Sequence, residues 1–227
     1  MMKNYAVRTA RLLFGLALFG FGCYLSIQAN IGLAPWDAFS MGFAKLTGQS
    51  YGNMTVLTGL GILVVDCLLG EKIGVATVLN TLLVGKFVDL FDALGLVPKL
   101  DNFFAGVALL LAGQVVLCLG SYFYIGAAMG CGPRDSLMVG VGKKLSRLPI
   151  GLVRGGVEAA ALLVGWLMGA KVGLGTVIAV FGIGFLLETT FRLLHFDVKA
   201  VVHENLFETA RRLAGKENKN DLEKKEL

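Results

Sequence analysis

Of the chain's 227 residues, 56% are hydrophobic and 31 are glycine, and its mean hydropathy is +0.72. Soluble domains do not carry such a composition, so a soluble enzyme or binding module is excluded and an integral membrane protein is expected. The net charge of +5 comes from 21 basic and 16 acidic residues; the basic ones gather in loops and in the tail, as membrane topology requires and nucleic-acid binding does not.

Apolar stretches long enough to cross a bilayer, about 20 residues each, run over 11–29, 51–69, 74–94, 103–125, 149–169 and 173–194. They predict an all-α polytopic protein with six transmembrane helices. The first stretch follows Lys3, Arg8 and Arg11 as a signal peptide would, but its apolar core is long and no small-x-small cleavage site ends it, so it is read as a span. With the N-terminus inside, the inner segments hold those three residues, then Lys72, then Arg134, Lys143, Lys144 and Arg147, then Arg192 and a basic tail. The outer loops hold only Lys45, Lys99 and Lys171. This asymmetry places both termini in the cytoplasm of a multi-pass cell-membrane protein.

The chain repeats itself. At a shift of 98, Gly15 matches Gly113, Gly22 matches Gly120, Tyr24 matches Tyr122, Pro35 matches Pro133, Asp37 matches Asp135 and Lys45 matches Lys143. After one inserted residue the shift is 99 and pairs Gly74 with Gly173, Thr77 with Thr176 and Asp89 with Glu188. Matched Pro, Asp, Tyr and Lys positions in one register mark a duplication. Residues 1–98 form one repeat and 99–196 the second, with a cytoplasmic segment over 197–227. Three crossings per repeat invert the second relative to the first, an arrangement in which transporters place their site near the midplane between repeats.

GLAPWDAF at 32–39 and GCGPRDSL at 130–137 fall after the first span of each repeat. Pro35 and Pro133 suit a first helical position and Asp37 and Asp135 a first turn, so each motif starts a short helix. A helix over about 35–46 is roughly 18 Å long, about half the hydrocarbon thickness, so two of them can enter from opposite faces as re-entrant elements. The alternative is an interfacial helix with an ordinary aspartate cap and Trp36 as a surface anchor. Trp36 falls opposite Arg134, so a shared site would have an aromatic plate on one side and a guanidinium on the other. If both aspartates offset their own helix ends, Arg134 is the unmatched charge and favours an anionic or aromatic-stackable solute. If either aspartate turns into the cavity, a cation or proton is favoured instead.

Ionisable residues inside apolar runs are costly and call for a reason. Lys86 and Asp89 are spaced i, i+3, and Arg154 and Glu158 i, i+4, so each pair can neutralise itself on one helix face. The functional alternative makes Asp89 and Glu188 a coupling pair for protons or cations and lets Arg154 and Arg134 hold an anionic group through bidentate hydrogen bonds. Asp66 is expected to be solvated at its helix end. Asn80, Thr77 and Thr176 supply neutral hydrogen-bonding groups, with helix–helix contact as the bland role and solute binding as the other for Asn80. Trp36, Asp37, Arg134, Asp135, Arg154, Glu158 and Asn80 are therefore the candidate solute-binding set; Lys86, Asp89 and Glu188 are the candidate coupling charges.

Cys23, Cys67, Cys118 and Cys131 stand singly in apolar segments, and His195 and His203 stand alone, so no metal or cofactor site is expected. No phosphate loop, nucleophile elbow or zinc-protease motif occurs, and an enzyme reading is poor. Beyond residue 196, Val198, Val201, Val202, Leu206, Ala210 and Leu213 recur at near-helical spacing beside Arg211 and Arg212, which predicts an amphipathic helix on the cytoplasmic membrane surface. The last stretch, KENKNDLEKKEL, is nearly all polar and is expected to be mobile.

RLLFGLALFGFG, GLAPWD, ATVLNTLLVGKFVD, GCGPRDSLM and GLGT, spread over about residues 11–190, resemble the YczE/YyaS/YitT group of bacterial membrane proteins. The resemblance implies an integral membrane protein and carries no substrate. The residues themselves favour a secondary transporter or permease for a small polar or charged solute, with membrane lipid and that solute as partners and room for a homo-oligomer. A channel would want a more continuous polar lining. A non-transporting scaffold or accessory protein would need only packing, and would leave Asp37 and Asp135 as caps.

Overall fold

A computed structural model describes residues 2–213, and every regular element among them is helical. The order is α1 (Met2–Gln28), α2 (Pro35–Thr47), α3 (Tyr51–Leu69), α4 (Val75–Ala93), α5 (Phe103–Gly126), α6 (Pro133–Lys144), α7 (Ile150–Leu167), α8 (Leu174–Leu193), a 3-10 turn at Val198–Ala200, and α9 (Leu206–Leu213). Four of these are long and apolar enough to cross a membrane: Tyr5–Gln28 of α1, α3, α5 and α8. Helices α4 and α7 fill the other two apolar stretches and are the ones that carry the charges Lys86, Asp89, Arg154 and Glu158.

Local chemistry sets the helix ends. Pro35 and Pro133 are the first residues of α2 and α6, where a missing N–H costs nothing. Ser50 Oγ accepts from Asn53 N–H at 3.1 Å to start α3, and Asn102 Oδ1 accepts from Ala105 N–H at 3.1 Å to start α5. Thr77 and Thr176 reach back to accept from Gly74 N–H at 3.1 Å and Gly173 N–H at 3.3 Å. They cap α4 and α8, a role added to their packing between elements, where Thr77 Oγ1 sits against Gly130 and Thr176 Oγ1 against Gly32.

Helices α1 and α5 cross antiparallel at the centre. A Cβ on Gly15 would lie 2.9 Å from Gly120 O and one on Gly120 2.8 Å from Gly15 O; one on Gly22 would lie 2.6 Å from Gly113 O and one on Gly113 2.9 Å from Gly22 O. Only glycine permits backbones this close. The two contacts exchange under the 98-residue shift that matches Gly15 with Gly113 and Gly22 with Gly120. Other contacts do the same: α4 packs on α1 and α8 on α5, while α2 packs on α7 and α6 on α3. Ala76 N–H donates to Met129 O at 2.8 Å, and its counterpart Gly175 N–H to Ile31 O at 3.0 Å. Each half therefore hands its short helix to the other half.

The segment after α8 does not lie free of the bundle. Glu204 is buried, accepts from Arg8 Nη1 at 2.7 Å and from Tyr5 Oη at 2.8 Å, and its N–H donates to Ala128 O at 3.1 Å. Leu206 N–H donates to Ile73 O at 3.0 Å. The amphipathic helix expected from 198 onward is thus broken into a 3-10 turn and α9, and between them the Glu204 and Leu206 N–H groups bond the bundle instead of a helical carbonyl. Its polar residues Glu204 and Thr209 face the protein, while Val202, Leu206 and Phe207 are exposed. The charged stretch 216–227 lies outside the described residues.

Candidate functional site

The starts of α2 and α6 meet. Arg134 Nη1 lies 3.8 Å from Asp37 Oδ1, and the guanidinium sits 5.4 Å from the centre of the Trp36 ring. The facing of Trp36 and Arg134 inferred from the repeat is therefore a contact between the two motifs. Tyr51, the first residue of α3, donates its hydroxyl to Asp37 Oδ1 at 2.9 Å. Asp37 is 5% exposed and sealed by these two neighbours.

Asp135 is placed differently. It is exposed, lines a cavity, and has no Lys or Arg nitrogen within ion-pair distance among the described residues. Its carboxylate and the Tyr124 hydroxyl crowd the same point above Gly132, where a Cβ would be 3.2 Å from Asp135 Oδ2 and 3.3 Å from Tyr124 Oη. No backbone N–H donates to either aspartate among the described residues, and neither α2 nor α6 has a side-chain cap. Asp37 and Asp135 occupy cap-like positions in sequence without acting as caps.

The cavity has a volume of about 230 Å³ and lies between the two halves. Trp36, Asp37, Asn80, Arg134, Asp135, Arg154 and Glu158 all line it. Arg154 Nε pairs with Glu158 Oε1 at 3.0 Å, as the i, i+4 spacing suggested. Two cations are thus answered by two of the three carboxylates. The carboxylate without a close ion-pair partner is Asp135, whereas Arg134 lies nearest to Asp37 and the Trp36 ring.

Lys86, Asp89 and Glu188 do not reach the cavity. Asp89 accepts from Ser50 Oγ at 2.6 Å and from Gly52 N–H at 2.8 Å, so it ties the end of α4 to the start of α3. Lys86 donates to Asn53 Oδ1 at 2.6 Å; the expected Lys86–Asp89 pair is replaced because α3 offers both residues better partners across the helix interface. Glu188 pairs with Arg192 at 2.8 Å on an exposed face of α8, while Asp89 is engaged by α3. Asp66 is not solvated. It is fully buried and neither carboxylate oxygen has a hydrogen-bond partner among the described residues, because α6 covers that side of α3.

Several cavity residues escaped sequence reasoning, including Tyr51, Thr55, Gln114, Ser121 and Tyr124. Gln114 carried a usable signal: a lone amide inside LLLAGQVVL is as conspicuous as a charge there. It is 3% exposed and its Oε1 has no partner among the described residues. The tyrosines carried none, since aromatic residues are common at helix ends in membranes.

Residues 6–192 match the family of unknown function DUF6198. The chain belongs to that family. It is 30% identical over 206 residues to the uncharacterised membrane protein YczE of Bacillus subtilis, covering 87% of this chain and 94% of that one. It is 32% identical over 188 residues to an uncharacterised protein of Haemophilus influenzae, covering 81% and 85% of the two chains. Against YyaS of B. subtilis the identity is 27% over 181 residues, 77% and 87% of the chains. No solved structure matches. The match to DUF6198 ends where α8 ends, so the docked segment 198–213 lies outside it.

Proposed function

We propose that this DUF6198 member is a secondary transporter or permease for a small polar or charged solute, with the solute held between the PWD and PRD helix starts. The reading places six crossings in two inverted three-helix repeats in the cell membrane, with both termini cytoplasmic. One observation carries it: Arg134 of the second motif reaches Asp37 and Trp36 of the first, and the charged residues of both halves line one cavity. Irregular backbone and charge at bilayer depth are tolerated where they face protein or a water-filled space, and paired broken segments of an inverted repeat are where transporters bind. The scaffold reading needs both aspartates as caps, and they accept no backbone N–H among the described residues.

Reconstitution tests the proposal. Solutes that raise the melting temperature of the purified protein are offered, labelled, to proteoliposomes; saturable uptake that is lost in Asp135→Asn is the expected result. Vesicles that take up none of them, from a protein that remains folded, would overturn it. A single cysteine at position 99 should react with an impermeant thiol reagent from outside the cell, and one in 216–225 only from inside.

A further inference from the structure

A second hollow adjoins the first. A groove of about 510 Å³ runs among α2, α3, α6 and α7 and is lined by Phe39, Phe43, Leu57, Val65, Leu137 and Val164 among other apolar residues. Trp36, Thr58 and Ile62 line both spaces, so the groove and the polar cavity share one wall. On the rim, Leu57, Val65 and Val164 are exposed, which opens the groove sideways between α3 and α7. Helices α3 and α7 are also two of the elements that carry the exposed apolar surface expected against lipid.

The two spaces have complementary demands. The cavity offers a carboxylate, Asp135, with no Lys or Arg nitrogen within ion-pair distance among the described residues, and elsewhere in its lining the amide of Gln114 with an unpartnered oxygen. Both are acceptors, and a carboxylate in a low-dielectric setting calls for a positive partner that donates hydrogen bonds. The groove offers almost no polar atom and calls for hydrocarbon. We infer that the solute is an amphiphilic amine, its ammonium head in the cavity at Asp135 and its hydrocarbon tail in the groove, entering sideways past Trp36 from the membrane.

This inference rests on the transporter reading and narrows its substrate class. Trp36 reports on it directly, because it stands in the shared wall and the other tryptophan, Trp166, can be replaced by Phe. Binding of decylammonium, methylammonium and decanoate to the Trp166→Phe protein in nanodiscs is followed by Trp36 fluorescence. Decylammonium should bind well below the concentration needed for methylammonium, and Asp135→Asn should weaken it at least about tenfold, the effect of losing roughly one charge-assisted contact. Gly61 lines the groove, and a Cβ there meets no atom within 4 Å, so Gly61→Phe is expected to put a ring at the groove with the fold kept, which the melting temperature of the variant checks. That variant should weaken decylammonium about tenfold and leave methylammonium unchanged. Decanoate binding in preference to decylammonium, or equal sensitivity of both amines to Gly61→Phe, would overturn the inference. If no amine binds while another solute is taken up by proteoliposomes, the amphiphilic-amine assignment falls and the transporter reading stands; if nothing is taken up, both fall.

Discussion

The PWD and PRD motifs occupy equivalent places in the two halves and do different work. Asp37 is closed off by Tyr51 and Arg134, so its carboxylate is a structural element that fixes where the second motif sits against the first. Asp135 has Tyr124 for company but no counter-ion among the described residues, and it opens to the cavity. The same contrast extends to α3 and α7. Where the second half has Arg154 and Glu158, the 99-residue shift puts Thr55 and Gly59 in the first. The corresponding contacts give the two halves a similar frame, and the residues that differ at a few positions close off the carboxylate of one motif and leave that of the other open to the cavity. This division of labour can be broken at the frame or at the differing residues.

The frame should give the largest effect. Gly22→Val drives a side chain into Gly113 and Leu117 at the α1–α5 crossing, where neither backbone can retreat. A loss of about 3 kcal/mol or more is expected, from overpacking in a site that cannot relax. It would be read as failure to obtain a monodisperse protein. Gly61→Ala, where no atom lies within 4 Å, should change stability by less than about 1 kcal/mol and on the stabilising side. Equal damage from both would mean that α1 and α5 do not meet as described.

The frame was also the part most legible in sequence. Repeated glycines at 15, 22, 113 and 120 stand in one register, and Pro-x-Asp at 35 and 133 marks two helix starts, because both features act locally. Partner choice was not legible. Nothing in the spacing of Lys86 and Asp89 reveals that α3 presents Ser50, Gly52 and Asn53 to them, and a favourable i, i+3 spacing is only one of the competing arrangements. Asp66 failed for the same reason: its exposure depends on where α6 lands, a contact separated from it by the whole of α4 and α5. The seven candidate site residues could be named together because the repeat places its motifs in one shared setting, whereas the tyrosines over the two aspartates come from positions the repeat does not pair.

The next effect separates the two aspartates. Arg134→Ala leaves Asp37 buried beside Tyr51 without a cation, and should cost about 2 kcal/mol, less than a fully buried pair would because the guanidinium is partly exposed. Adding Asp37→Asn should restore most of that loss, since the buried charge is then gone. Asp135→Asn alone should move the melting temperature little, within about 0.5 kcal/mol, while removing solute response. If Asp135→Asn destabilises as much as Arg134→Ala, the two motifs are equivalent after all and the contrast fails. Differential scanning fluorimetry of the three variants beside the parent protein decides between these outcomes.

The smallest effect concerns the docked segment, which has no equivalent burden in the middle of the chain. Glu204 is held by Arg8 and Tyr5, and the neighbouring His203 is half-buried with its Nδ1 unpartnered among the described residues. Burial holds the His203 imidazole below its usual range. The undocked segment therefore takes up a proton more readily than the docked one. Docking is fully favoured above the ordinary histidine value of about 6.5 and weakens as pH falls through it toward the lower docked value. Hydrogen exchange at Glu204 N–H, which donates to Ala128 O, and at Leu206 N–H, which donates to Ile73 O, should be faster at about pH 5.5 than at about pH 7.5 once corrected for intrinsic rate. His203→Gln removes the titrating group and should flatten the pH dependence at both amides; a pH dependence that survives the substitution would move its origin to Glu204 and the Arg8 contact.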